Sequence, residues 1–227
     1  MGRHSAPPRR RRPRLSRWVP FVCVLAAIAA VTASGIDWVT SPFWGHQVIA
    51  GTAPARDVGV VPVSPWSGTV KSKPVAMVLS PNRIEIPALK AEAPILAVGD
   101  DNRELNIPLD PKVAGWWKGG AEPGAATGTA IIAGHINYAG VQGALGRIGE
   151  LNPGDTVYIY GVGRDKKQGR LHLKITGVRT YSKQALPFAE IFDQSSVGRV
   201  AIVTCGGPFD ASTGNYLDNI VAFAVPV

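Results

Sequence analysis

The feature that most constrains the fold is a succession of short apolar stretches set between turn residues. They are RIEIPAL (83–89), APILAV (93–98), LNIPL (105–109), TAIIAGH (129–135), TVYIYG (156–161), RLHLKITGV (170–178), VAIVTC (200–205) and NIVAFAV (219–225). Stretches this short, rich in β-branched side chains and bounded by Gly, Pro, Asn or Asp, are strands rather than helices. Leu171, Leu173 and Ile175 alternate with His172, Lys174 and Thr176, the pattern of a half-buried strand with one wet face. Eight such strands predict a mainly β domain closed into a small barrel, spanning 81–227. Helix is expected only in short pieces, around 142–150 and 188–193.

The chain in front of this domain has a different composition. Seven arginines and no acidic residue stand in positions 1–17, against 24 Lys and Arg and 16 Asp and Glu in the whole chain. The net charge of +8 therefore belongs almost entirely to one short tail, leaving 17 basic residues against 16 acidic ones. A nucleic-acid binder would spread Lys and Arg over a folded face, and no such stripe follows Arg17, so nucleic acid is not an expected partner. From Trp18 the next 19 residues carry no charge, about the length of a bilayer-spanning helix. Arginines flanking a span stay on the cytoplasmic side, so a signal-anchor over 18–38 would hold the N-terminus inside and the rest outside the cell membrane. Val31-Thr32-Ala33 has the small residues of a cleavage site, which leaves a retained and a removed anchor both open. Residues 39–80, rich in Pro, Gly, Ser and Thr, read as an extended linker.

Of the two cysteines, Cys23 lies in the uncharged run and Cys205 in the domain, so they are not expected to pair. Cys205 closes the strand VAIVT and is followed by Gly206, Gly207 and Pro208, where a substrate backbone can come close. His135 closes the strand TAIIAG in the same way. Of the other histidines, His4 is in the tail, His46 lies just after the uncharged run and His172 is on a polar strand face. A lone thiol outside the cell is either inert or reactive, and a strand-end histidine in the same domain favours the reactive case. A free thiol titrates near 8.5 and a free imidazole near 6.5, so about 3 per cent and about a quarter of each are charged at pH 7. Uncoupled, the reactive thiolate–imidazolium form would be roughly one molecule in a hundred. One histidine and one cysteine do not make a four-ligand zinc shell. Glu190 and Asp193 are too few for a calcium site, and no metal or cofactor is expected.

These residues bring a family into view. The order His then Cys, the strand AIIAGH, the stretch AGWWKGGAEPGAATGTAIIAGH and the stretch IVTCGGPFDASTGNYLDNIVAFA (202–224) resemble the sortases, especially the class F or E sortases of actinobacteria. The resemblance implies an eight-stranded barrel in which Cys205 attacks the Thr-Gly bond of an LPXTG-like sorting signal and His135 serves as acid and base. It further implies a thioacyl intermediate and transfer to an amine of a peptidoglycan precursor or pilin-like subunit. By the same resemblance Thr204 precedes the nucleophile, and 180–196 helps form the peptide groove, with Leu186, Phe188 and Ile191 as candidate lining residues.

One position departs from the pattern. The family's arginine, thought to support substrate and oxyanion, corresponds to Leu217, and leucine offers no donor. Asn219, backbone amides near Gly206, or a distant arginine such as Arg147 or Arg199 are the candidate replacements. Other cysteine enzymes fit less well: papain-like peptidases reverse the order of Cys and His, and the SxGCxR-type signature of L,D-transpeptidases is absent. The remaining rival is a barrel of the same shape that binds a peptide or wall fragment with impaired catalysis.

Overall fold

The computed structural model describes residues 57–61, 77–101 and 104–227. The basic tail, the expected membrane segment and most of the expected linker, with Cys23, His4 and His46, lie outside the described residues. Among the described residues no helix is long and apolar enough to cross a membrane.

Eight strands form the barrel: β1 (Leu79–Ile86), β2 (Ala91–Val98), β3 (Ala114–Trp117), β4 (Thr129–Ala133), β5 (Thr156–Gly163), β6 (Gln168–Ser182), β7 (Arg199–Asp210) and β8 (Asn215–Pro226). Their order around the ring is β1-β2-β3-β4-β7-β8-β6-β5, with β5 pairing back onto β1. β2 with β3 and β4 with β7 are parallel, and the other neighbours are antiparallel. Closure of the eight strands pairs each of them on both sides and removes the long free edges of an open sheet.

Seven of these strands grow from the stretches expected in the sequence. The eighth does not: 105–109 contributes only Leu105, which with Glu104 pairs with Asp100–Asp101. Pro108 has no amide to donate to a ladder, and Leu109 is left 69% exposed. The barrel takes Ala114–Trp117 instead, four residues too short to stand out as a strand pattern. The helix expected over 142–150 shrinks to a single 3-10 turn at Ile148–Glu150, while that near 188 is a short α-helix, α1 (Phe188–Ile191).

Alternation along each strand divides the apolar residues into two layers. Ile132, Leu173, Ile175, Val200, Ile202, Ile220 and Ala222 point inward and fill the barrel, whose eight strands leave just enough room for side chains. The intervening Ile131, Ala201, Val221 and Phe223 point outward and are covered by Leu186, Ile191 and Phe192 from the β6–β7 connection. The outer face of β4, β7 and β8 is therefore the floor of a second, smaller core.

The far half of β6 extends beyond β5 and finds a different partner. Val58–Gly59, within the expected linker, pair antiparallel with Val178 and Gly177. The Arg179 guanidinium donates to the carbonyls of Val58 and Gly59, at 2.7 Å each, and the Thr180 amide donates to Asp57 Oδ1 at 2.9 Å. Part of the linker is thus fastened to the barrel.

Candidate active site

The parallel pairing of β4 and β7 runs in constant register, from Thr129 beside Arg199 to Ala133 beside Val203. It continues past the end of β4. The Gly134 amide donates to the Val203 carbonyl at 3.0 Å, and the Thr204 hydroxyl donates to the Gly134 carbonyl at 2.9 Å. Continued one residue further, this register brings His135 level with Cys205. Both side chains follow the outward set of Ile131 and Ala201, and both are half-buried. On its other side Cys205 pairs with Asn219, which pairs in turn with Tyr181. One row across the sheet thus reads His135, Cys205, Asn219, Tyr181.

The loops after both residues are fixed by close packing. Tyr138 stacks on the His135 ring, centroids 5.1 Å apart. A buried hydrogen bond from Asn137 Nδ2 to Tyr216 Oη, 2.7 Å, ties the histidine loop to β8. A Cβ at Gly143 would come within 1.7 Å of the His135 carbonyl oxygen, so only glycine lets this loop close. Beyond Cys205 the β7–β8 register shifts between Gly206 and Phe209, a bulge that turns the chain away from the ladder. Gly207 within it has φ +71, and an added Cβ would meet Asp218 Oδ2 at 2.0 Å. Gly207→Ala is therefore expected to destabilise the fold by about 1–3 kcal/mol, read as a lower denaturant midpoint with unchanged slope.

Thr204 is buried on the inner face, and its hydroxyl holds Gly134, joining the nucleophile strand to the histidine strand. The role visible for it is that tie. Leu217, on the outward set one step beyond Asn219, is 44% exposed. Neither distant arginine lies in the row. Arg147 forms a two-pronged pair with Glu150, at 2.8 and 2.5 Å. Arg199 stands six residues before Cys205, about 20 Å along an extended strand. Its buried guanidinium donates to Thr129 Oγ1 at 2.9 Å and to the Glu190 carbonyl, pinning α1 to the barrel. Burial pulls the Arg199 guanidinium below its ordinary value, with the charges of Glu190 and Asp193 opposing. Tyr181 Oη lies 3.5 Å from Glu190 Oε1; burial first, and Glu190 second, push its phenol up to about 12, so it stays protonated.

A cleft of about 420 Å³ opens where α1 meets the paired residues Asp100–Asp101 and Glu104–Leu105, lined by Asp100, Leu105, Trp117, Phe188 and Phe192. Phe188 and Phe192 stack one helical turn apart, centroids 5.4 Å, and Trp117 meets Phe192 edge-on at 5.3 Å. The Trp117 Nε1 donates to Asp100 Oδ1 at 2.6 Å. Of the lining residues put forward from sequence, Phe188 is at the cleft, whereas Ile191 is buried under α1 and Leu186 packs half-buried on the second core. Sequence reasoning missed Trp117 and Phe192. The tryptophan doublet at 116–117 and the i, i+4 spacing of 188 and 192 are the signals that could have found them.

The family description that matches this chain is the sortase domain, over residues 84–227. Curated proteins give no match. Among solved structures, sortase C of Clostridium perfringens SM101 is 19% identical with a TM-score of 0.46, over 67% of this chain and 71% of that one. Sortase C-1 of Actinomyces oris is 17% identical with a TM-score of 0.47, over 75% and 90% respectively. A Clostridium perfringens sortase C solved with the C-terminal cell wall sorting motif is 20% identical with a TM-score of 0.47, over 67% and 72%.

Proposed function

Because the chain belongs to the sortase family, whose members are cysteine transpeptidases, we propose that it cleaves an LPXTG-like sorting signal through a thioacyl intermediate on Cys205. The observation that carries this reading is the β4–β7 register, which, continued past Ala133 and Val203, brings His135 level with Cys205 on the outer face. The Cys205 thiolate attacks the scissile carbonyl and the imidazolium of His135 protonates the departing amine. His135 then takes a proton from the incoming amine as the acyl group leaves sulfur. The acceptor is an amine of a peptidoglycan precursor or a pilin-like subunit. The arginine-rich start and the uncharged run after it support an anchor over 18–38 that keeps the domain outside the membrane, facing the wall.

The aromatic cleft suits the apolar side chain of such a signal. Ile131 and Ala201, in the same outer layer as Trp117, stand four residues before His135 and Cys205, about 13 Å of extended chain. That is the span of the four residues L-P-X-T. Phe188→Ala is accordingly expected to raise KM about tenfold with kcat nearly unchanged, as measured by steady-state cleavage of a sorting-signal peptide.

A second reading is favoured by Leu217, which puts an apolar side chain where the family has an arginine: a peptide-binding module with impaired chemistry. Steady-state turnover of an LPXTG-like peptide separates the two. Turnover that disappears with Cys205→Ala supports the transpeptidase, and peptide binding without turnover supports the module.

A further inference from the structure

We propose that the side-chain amide of Asn219 donates the hydrogen bond that stabilises the oxygen of the acyl group under attack at Cys205, a part for which Leu217 has no donor. The inference rests on the transpeptidase reading above and concerns how this chain completes its site.

The geometry begins with the β7–β8 ladder. Cys205 and Asn219 are directly opposed, so their side chains leave the same face with Cβ atoms about 4.5–5.5 Å apart. His135 flanks Cys205 on the other side through the β4 register, so the sulfur lies between a base and an amide. A carbonyl carbon bonded to Sγ can turn its oxygen away from His135 and towards Asn219. The amide is also available: among the described residues, no hydrogen bond holds the Asn219 side chain, which is only half-buried. A neutral amide needs no countercharge, which suits a row in which no arginine stands.

The other side-chain donors nearby are occupied. Thr204 points inward to the Gly134 carbonyl. Tyr181, next along the row, lies against Glu190. Arg179, one step off the row, is held by the carbonyls of Val58, Gly59 and Val178. Arg199 and Arg147 are engaged elsewhere.

In the step itself the thiolate forms the C–S bond while the carbonyl π pair moves onto oxygen. The Asn219 N–H meets the charge that develops there. Collapse restores C=O and breaks the C–N bond, and the His135 proton leaves on the amine. A donor aimed at an oxyanion contributes about 10²- to 10³-fold in rate.

The test compares the full chain with Asn219→Ala and with Asn219→Asp, which keeps the shape but loses the donor. Two rates are measured for each: single-turnover acylation of Cys205 by an LPXTG-like peptide, and alkylation of Cys205 by iodoacetamide, followed on the Cys205 peptide so that Cys23 does not contribute, a displacement that forms no oxyanion. The expected result is acylation slowed about 10²-fold in both variants with alkylation unchanged. Leu217→Arg added to Asn219→Ala should restore part of the loss. Acylation within about threefold of the parent in Asn219→Ala would overturn the proposal and assign the oxygen to backbone amides near Gly206. Acylation and alkylation falling together would also overturn it, because Asn219 would then act on the thiolate. If the parent chain itself never acylates while its thiol alkylates normally, the transpeptidase reading fails and the proposal falls with it.

Discussion

Cys205→Ala is expected to abolish peptide cleavage together with thiol labelling at position 205, the largest single effect in the molecule. Every bond-making step of the proposed cycle passes through the sulfur, and among the described residues Cys205 is the free cysteine. A methyl group in its place retains the fold, because the half-buried position lies on the outer face and leaves the barrel core untouched. Thermal unfolding close to that of the parent, with turnover at background, is the predicted pair of results. Turnover that persists would remove the mechanism.

His135→Ala carries the second largest effect. Positioned proton transfer contributes about 10²- to 10⁴-fold, and the His135 imidazole is the group the register sets beside the sulfur. Acylation should therefore fall by that factor. Alkylation by a small reagent should fall less, since it needs the thiolate but no proton for a leaving amine. The parent's kcat/KM should rise and fall with pH as the base and the acid titrate, and the variant should lose that shape. An unchanged rate would mean that another group carries the proton.

Much of the barrel was legible because its strands are long enough to show a period. Leu171, Leu173 and Ile175 announce β6, and the structure buries all of them. Ala114–Trp117 escaped notice since four residues carry no period, and its place was given to 105–109, whose Pro108 breaks the ladder. The candidate site was legible only in its two strand ends. That His135 and Cys205 are neighbours follows from β4 and β7 being parallel and adjacent although 70 residues separate the paired positions, which no local pattern encodes. Arg199 shows the same limit in reverse. Its charge suggested a substitute for the missing arginine, whereas its burial against Thr129 and the Glu190 carbonyl makes it the pin of α1. Thr204 likewise looked like part of the substrate site by its position in sequence, and strand alternation turns it inward.

The central claim is that Cys205 carries an acyl group during the reaction, and intact-mass analysis tests it most directly. The purified protein, incubated with a mixed set of LPXTG-like peptides, is predicted to gain the mass of the peptide up to its threonine. That mass should map to Cys205 and be lost on adding hydroxylamine or an amine. A folded protein whose Cys205 still alkylates but never gains that mass would contradict the claim and leave the peptide-binding module as the reading to pursue.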